Sequence, residues 1–147
     1  MNTIRFDRVS DASRLPIKGT AQSAAFDLYA AETVEILPWS RSLVSTGLKL
    51  AECPNDVYLR IAPRSGLAVR GFDIGAGVVD SDYRGSVKIL FINNTCNFYT
   101  VKPGDRIAQM IPERIRNDLH CEITGQEHGQ QECLREIRGE GGFGSTN

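Results

Sequence analysis

No stretch of this 147-residue chain approaches the ~20 consecutive apolar residues of a membrane-spanning helix. The opening Met1–Asp7 segment lacks the apolar core of a secretory signal and carries charge at Arg5 and Asp7. The expected setting is therefore the cytoplasm or nucleus, away from membranes. Charge of one sign is also missing. Lys plus Arg number 17 and Asp plus Glu 18, a net charge of -1. That balance argues against a dedicated nucleic-acid binder, which carries a basic excess, although a local arginine cluster can still hold a small polyanion. Cysteine is scarce: Cys53, Cys96, Cys121 and Cys133 form no C-x-x-C pair, so reduced thiols are expected. His120, Cys121, His128 and Cys133 lie close together, but their spacing matches no usual zinc pattern and reads as loop side chains. Internal repeats and heptads are absent.

What is present is ordinary for a globular domain, with 41% hydrophobic and 24% charged residues. A chain of this length buries roughly 68–70% of its unfolded surface and needs no staple. Strand signals dominate. Ile4 and Phe6 alternate loosely with polar residues, and Thr33–Leu37 alternates up to Pro38. Ser42–Leu50, Val57–Ile61, Asn97–Val101 and Arg106–Ile111 are further candidates, and Ser86–Asn93 has the apolar density of a buried strand. Helix is expected at most as one short turn near Ala62–Val69. Many short strands with Gly, Pro, Asn and Asp between them predict an all-β sandwich, barrel or jelly roll. Arg116–Ile137 is polar and reads as a linker, followed by the glycine-rich Arg138–Asn147.

Several segments could carry chemistry. In Ala62-Pro63-Arg64-Ser65-Gly66-Leu67, Arg64 offers a guanidinium fork, and Ser65 and Gly66 offer a hydroxyl and backbone N–H groups suited to phosphate. The plainer reading is a proline-initiated surface turn. Gly75 to Gly85 reads as a hairpin: two apolar strands flank a polar turn, and Gly75, Ala76 and Gly77 leave backbone open to a flat ligand. Asp80 follows Val78 and Val79, so it stands at a strand end beside apolar walls. There it serves as a general base if it reaches a water, or simply pairs with Arg84. Asp27 is an acid inside the apolar run Ala24–Ala30, facing a metal or capping a turn. Asp105 and Arg106 read as a structural ion pair, and Gln109 interrupts an apolar strand, so its amide needs a partner. Phe143 stands among glycines with Arg138, Ser145 and Thr146; such a tail either closes over a nucleotide or is a disordered end.

Taken in order, these segments resemble the homotrimeric dUTPase family. The matching stretches are Ala24–Ala30, Ala62–Ala68, Gly77–Asn93, Gly104–Ile111 and Arg138–Thr146, and "APRSGLA", "GVVDSDYRG", "GDRIAQ" and "RGEGGFGST" are each specific. The resemblance spans nearly the whole chain. It implies a β jelly roll or distorted barrel over residues 1–115, a connecting arm over 116–137 and a mobile lid over 138–147. It also implies a homotrimer whose sites are shared between subunits, with dUTP and Mg2+ and no nucleic acid or membrane. The implied reaction is hydrolysis of dUTP to dUMP and pyrophosphate, which limits uracil in DNA and supplies dUMP for dTTP synthesis.

The resemblance also assigns roles. Asp80 corresponds to the residue that activates the attacking water, and Tyr83 to the side chain under the deoxyribose that leaves no room for a 2′-hydroxyl. The backbone around Gly77, Val78, Val79 and Lys88 corresponds to the uracil contacts. Arg64, Ser65, Gly66 and Gln109 correspond to phosphate contacts, and Asp27 to the acid that holds Mg2+ through water. Arg138, Gly144, Ser145 and Thr146 correspond to the γ-phosphate clamp, and Phe143 to the stacking lid. Ala25 stands where the family usually has Gly, and the 116–137 stretch is longer than is common. Two rivals are weaker. A dCTP deaminase on the same fold needs a further acid at the base's exocyclic amine, and no segment supplies one. A non-catalytic dUTP-binding or partner-binding regulator has no need of Asp80, Arg64 and the tail together.

Overall fold

The computed structural model describes residues 2–125 and 137–145. In chain order the elements are β1 (Arg5–Arg8), β2 (Ile17–Lys18), β3 (Phe26–Tyr29), β4 (Val34–Ile36), β5 (Arg41–Glu52), β6 (Val57–Ala62), α1 (Ser65–Val69), β7 (Phe72–Gly75), β8 (Val78–Val79), β9 (Ser86–Asn93), β10 (Tyr99–Val101) and β11 (Arg106–Arg114). They form one sheet in the order β1-β5-β9-β7, a second in the order β2-β3-β11-β6-β8, and a ribbon of β10 with β4. Every pairing between these strands is antiparallel, and an isolated parallel bridge joins Tyr83 to Gly139. Leu28 and Met110 from the second sheet share one buried cluster with Val44, Ile89 and Phe91 from the first, and with Ile36 and Val101 from the ribbon. This is an all-β jelly-roll architecture; the short, punctuated strands predict the all-β class, and the family resemblance implies the jelly roll.

The strongest strand shows why. In β9, Val87, Ile89, Phe91 and Asn93 alternate inward with Ser86, Lys88, Leu90 and Ile92 on the other face, the period of a half-buried strand. Asn93 is the polar exception. Its Nδ2 donates to the carbonyls of Ile36 (3.2 Å), Leu37 (3.2 Å) and Asn97 (2.8 Å), and its Oδ1 accepts from Thr95 N–H (3.0 Å) and Thr95 Oγ1 (2.7 Å). One buried amide therefore ties the β4–β10 ribbon to the first sheet. Among the described residues no buried side-chain nitrogen or oxygen lacks a partner.

β5 departs from regular pairing. Its register with β9 shifts between Ser45 and Lys49, which brings Lys49 opposite Ser86. Gly47 lies in that bulge at φ +66°, where a Cβ would come within 2.9 Å of both Ala31 Cβ and Ser10 Cβ. Only glycine meets both demands.

Several expectations need correction. The Gly75–Gly85 stretch is not a hairpin of two paired strands. β8 pairs with β6, with Val79 opposite Leu59, whereas β7 and β9 pair with each other in the other sheet. The chain thus crosses between sheets at Ala76–Gly77. β2, β3 and β7 were not expected as strands, being two to four residues long and short of a readable period. β11 runs on through Pro112 to Arg114. Pro112 is opposite Leu59 of β6, but β3 pairs only as far as Met110, so the missing N–H faces an open edge. Ala25 is not among the non-glycine residues of positive φ, so the side chain in place of glycine causes no backbone strain. Among the described residues no helix is long and apolar enough to cross a membrane.

Candidate functional site

The residues singled out above gather into two clusters. The first lies where β3, β11 and the start of α1 meet. Asp27 and Gln109 are register partners across β3 and β11, and Gln109 also faces Ala62 of β6. Asp27 Oδ1 accepts from Arg64 Nε at 3.2 Å, and its Oδ2 lies 3.5 Å from Arg106 Nη1. Arg64 Nη1 donates in addition to the Arg106 carbonyl at 3.3 Å. Gln109 Nε2 donates to the Pro63 carbonyl at 2.8 Å, which is the partner its position in an apolar strand requires, and this holds the Pro63–Arg64 turn in place. Ser65 and Gly66 are exposed in the first turn of α1, where helix geometry leaves backbone N–H groups without intrahelical acceptors. The arrangement is two guanidiniums and outward N–H groups around one carboxylate, a site matched to a polyanion.

Arg106 was expected to pair with its neighbour Asp105. Instead Asp105 Oδ2 accepts the Lys102 N–H at 2.9 Å and closes the turn before β11, which frees Arg106 to reach Asp27. No local signal marked this. Arg106 and Gln109 would fall on opposite faces of a regular strand, and the register shift between Arg106 and Ala108 in the pairing of β11 with β3 is what brings both toward Asp27.

The second cluster surrounds a cleft of about 140 Å3 at the sheet crossover. Its walls include Gly75, Gly77, Val78, Asp80, Tyr83, Lys88, Arg138 and Phe143. The crossover is tightly built. Ala76 takes φ +59° and Gly77 φ +88°. Ile61 N–H donates to the Gly77 carbonyl at 2.8 Å, and a Cβ on Gly77 would stand 2.7 Å from the Ile61 oxygen. Tyr83 Oη donates to the Ser86 carbonyl at 3.0 Å, which lays the ring across the turn. Burial first, then the nearby Glu140 carboxylate, push the Tyr83 hydroxyl above its usual value, against the opposing pull of Arg138 and Lys49. Tyr83 therefore stays a neutral donor at ordinary pH. Val79 is half-buried and packs against the core, while Val78 is exposed.

Asp80 does not pair with Arg84. Arg84 Nη1 donates to the carbonyls of Ser81 (2.8 Å) and Tyr83 (2.7 Å), stiffening the turn. Asp80 Oδ2 lies instead 2.6 Å from Arg138 Nη2. The tail is docked by further bonds. Arg138 N–H donates to Asp82 Oδ2 at 2.7 Å, Arg84 N–H donates to the Gly139 carbonyl, and Lys49 Nζ pairs with Glu140. Asp82 and Lys49 drew no attention in the sequence, and Arg84 drew it only as a partner for Asp80, because nothing local marks a residue whose partner lies more than fifty positions away.

Beyond Gly141 the tail folds on itself. Gly142 N–H donates to Ser145 Oγ (2.7 Å), Ser145 Oγ donates to the Gly142 carbonyl (2.8 Å), and Phe143 and Gly144 take φ +49° and +94°. Phe143 lines the cleft yet is 56% exposed. Ser145 Oγ thus bonds within its own turn, and a phosphate would have to draw it out of that turn. Thr146, and the His128 and Cys133 considered for zinc, lie outside the described residues.

The two clusters are not one cavity. Asp27, Arg64, Ser65, Gly66 and Gln109 take no part in lining the cleft that holds Asp80 and Phe143. As for a metal, the described residues contain no group of three or more His, Cys, Asp or Glu able to form a cage. Asp27 is a lone carboxylate with each oxygen opposite a guanidinium. That donor set fits Mg2+ only in the mode in which waters and substrate phosphates supply most of the ligands.

Comparison with known proteins shows the family and the fold. The dUTPase family model matches residues 11–147. The deoxyuridine 5'-triphosphate nucleotidohydrolase of Candida albicans is 46% identical over 138 residues, covering 93% of this chain and 83% of that one. The protein of the same name from Fowlpox virus is 45% identical, covering 99% and 98%. Among solved structures, a mutant dUTPase from phage phi11 of S. aureus, described for its coordination of a structural Mg(II) ion, has a TM-score of 0.77 at 21% identity, covering 86% of this chain and all of that one. A mutant dUTPase of Staphylococcus bacteriophage 80alpha with dUpNHpp has a TM-score of 0.78 at 22% identity, covering 99% of each chain. At those identities the structural likeness speaks for the fold.

Proposed function

The chain belongs to the dUTPase family and is a dUTP diphosphatase, and from that premise we propose how its residues share the work. The nucleoside end of dUTP enters the crossover cleft, with uracil against the backbone of Gly77, Val78 and Val79 and beside Lys88. Tyr83 lies under the deoxyribose and Phe143 stacks over the base. The triphosphate meets Arg64, the N–H groups of Ser65 and Gly66, Gln109 and, from the tail, Arg138, Gly144, Ser145 and Thr146. Asp80 orients a water and takes its proton as the water oxygen bonds to the α-phosphorus; the bond to the bridging oxygen breaks and pyrophosphate leaves. Asp27 would hold Mg2+ through water, and the ion would supply charge neutralisation of the triphosphate.

The observation that carries this reading is the docked tail. It places Arg138 and Phe143 around one cleft with Asp80 and Tyr83. The separation of the Asp27–Arg64 cluster from that cleft supports a site completed between copies, hence a homotrimer in which the crossover cleft of one subunit faces the phosphate cluster of another. The cleft itself, at about 140 Å3, falls below the ~300–1,000 Å3 of pockets that enclose a whole ligand. It suits a base and not a complete nucleotide. The tail contacts made within one chain are equally open to the tail of a neighbour, with residues 116–137 as the connecting arm. In the cell this activity keeps uracil out of DNA and supplies dUMP, in an intracellular compartment.

The test is pyrophosphate release from dUTP with Mg2+, beside dTTP, dCTP and UTP, with Asp80→Asn as control. Turnover of dUTP alone, lost in the variant, is the expected result. Equal turnover of UTP removes Tyr83 from sugar selection, and turnover that survives in the variant removes Asp80 from the role of base.

A further inference from the structure

Lys49 belongs to none of the stretches that carry the family resemblance, yet it is one of the residues that hold the tail. In β5, Val44, Thr46, Leu48 and Leu50 all face the core on either side of the Gly47 bulge, and Lys49 lies on the opposite face, brought by the register shift opposite Ser86. The Ser86 carbonyl is the acceptor of the Tyr83 hydroxyl. Lys49 therefore stands directly behind the turn that bears Asp80, Asp82 and Tyr83, and its Nζ pairs with Glu140. Glu140 lies between Gly139, whose carbonyl takes the Arg84 N–H, and Gly141, whose carbonyl takes Arg138 Nη1 at 3.0 Å. An ion pair at Glu140 consequently fixes the stretch of tail on which Arg138 is aimed. Lys49 also holds the Glu140 carboxyl below its usual value. Asp7 is the register partner of Lys49 on β1.

We propose that Lys49 is a positioning residue of this enzyme: its ion pair with Glu140 sets where residues 138–145 dock over the crossover cleft, and so how Arg138 and Phe143 are presented to the triphosphate and base. The proposal rests on the reading of the tail as the element that closes the site. Lys49 touches neither substrate nor reacting atoms. Its loss therefore raises KM and leaves kcat within about a factor of two. Both side chains are partly exposed, so the effect of neutralising the pair is modest, about two- to fivefold, as for other solvated ion pairs.

The experiment compares wild type, Lys49→Gln, Glu140→Lys, Lys49→Glu and the double variant K49E/E140K, each as the full chain. Two quantities are read. The first, without substrate, is hydrogen exchange of the Arg84 amide, which is protected by the Gly139 carbonyl only while the tail is docked. The second is KM and kcat for dUTP. Expected are faster Arg84 exchange and raised KM in all three single variants, and recovery of both toward wild type in the charge-swapped double variant. Glu140→Lys is the decisive single variant, because it leaves the β1–β5 strand pair and Asp7 untouched. Unchanged exchange and KM in Glu140→Lys and Lys49→Gln overturn the proposal, as does a folded double variant that recovers neither quantity. Wild type that fails to hydrolyse dUTP sinks the functional reading instead, and the exchange measurement still decides the latch.

Discussion

Arg138 Nη2 lies 2.6 Å from Asp80 Oδ2, so the cation expected to grip phosphate and the carboxylate expected to activate water hold each other. Both side chains are more than a third exposed, at 35% and 39%. A solvated pair of this kind contributes about 0–1 kcal/mol. A triphosphate, with several negative charges, draws Arg138 away at little cost. The pair thus keeps the tail near the cleft without locking Asp80 out of use.

Asp80→Asn should separate binding from chemistry. The amide neither accepts the water's proton nor holds Arg138 by charge. Turnover is expected to fall by about 10²–10⁴-fold, the usual worth of a positioned general base. Affinity for a non-hydrolysable dUTP analogue is expected to be equal or greater, because Arg138 is released from its internal partner. Titration calorimetry with the analogue beside steady-state turnover checks both halves. Lost affinity would assign Asp80 to substrate binding.

Deleting Arg138–Asn147 should leave the core intact and remove most turnover. The described tail adds no residue to the buried cluster, and Phe143 is over half exposed. Phe143→Ala is accordingly expected to move the melting temperature by no more than a degree or two while lowering kcat/KM. A truncated protein with full activity would show that the tail has no part in closure.

Gly77→Ala should be among the more damaging single-methyl changes in the molecule. The residue sits at φ +88°, and its new Cβ would stand 2.7 Å from the Ile61 oxygen, a backbone atom that cannot rotate away. Left-handed strain and the displaced Ile61–Gly77 hydrogen bond together are expected to cost about 2–4 kcal/mol. Denaturant unfolding measures this. A cost within experimental error would mean that the crossover has another accessible backbone shape, and with it that the cleft is not preformed.

How far these features could be read in advance depended on whether their cause was local. Ser86–Asn93 and Val57–Ala62 announce themselves through period and β-branched content. The Arg64-Ser65-Gly66 and Gly75–Gly85 segments are recognisable by composition alone. The identity of Asp80's partner was not, since Arg138 lies far along the chain and Arg84 lies close. The same holds for Asp105 and Arg106. Sequence proximity suggested an ion pair, but the turn before β11 takes the carboxylate for its own N–H, and the strand carries the guanidinium to Asp27. The sheet exchange at Ala76–Gly77 was hidden for a different reason. Two apolar runs about a polar turn look alike whether they pair with each other or with strands of separate sheets.

The thiols offer a pH-dependent check on the core. Cys53 is half-buried against the apolar cluster and its Sγ faces the Val57 carbonyl at 3.8 Å, whereas Cys96 is exposed. Burial raises the Cys53 thiol above the usual 9.0, with Asp56 adding to the rise and Arg84 opposing it. Because the folded value exceeds the unfolded one, the neutral thiol contributes stability that is complete below about 9 and is lost as pH climbs through the folded value. The thiolate is the reactive form. Peptide mapping after iodoacetamide at pH 8 should therefore show Cys96 modified well before Cys53. The rate at Cys53 should still be rising at pH values above 9, because burial holds its thiol above the usual value. Equal rates at both positions would mean that the segment between β5 and β6 opens readily, and that the apolar contacts of Cys53 do not persist in solution.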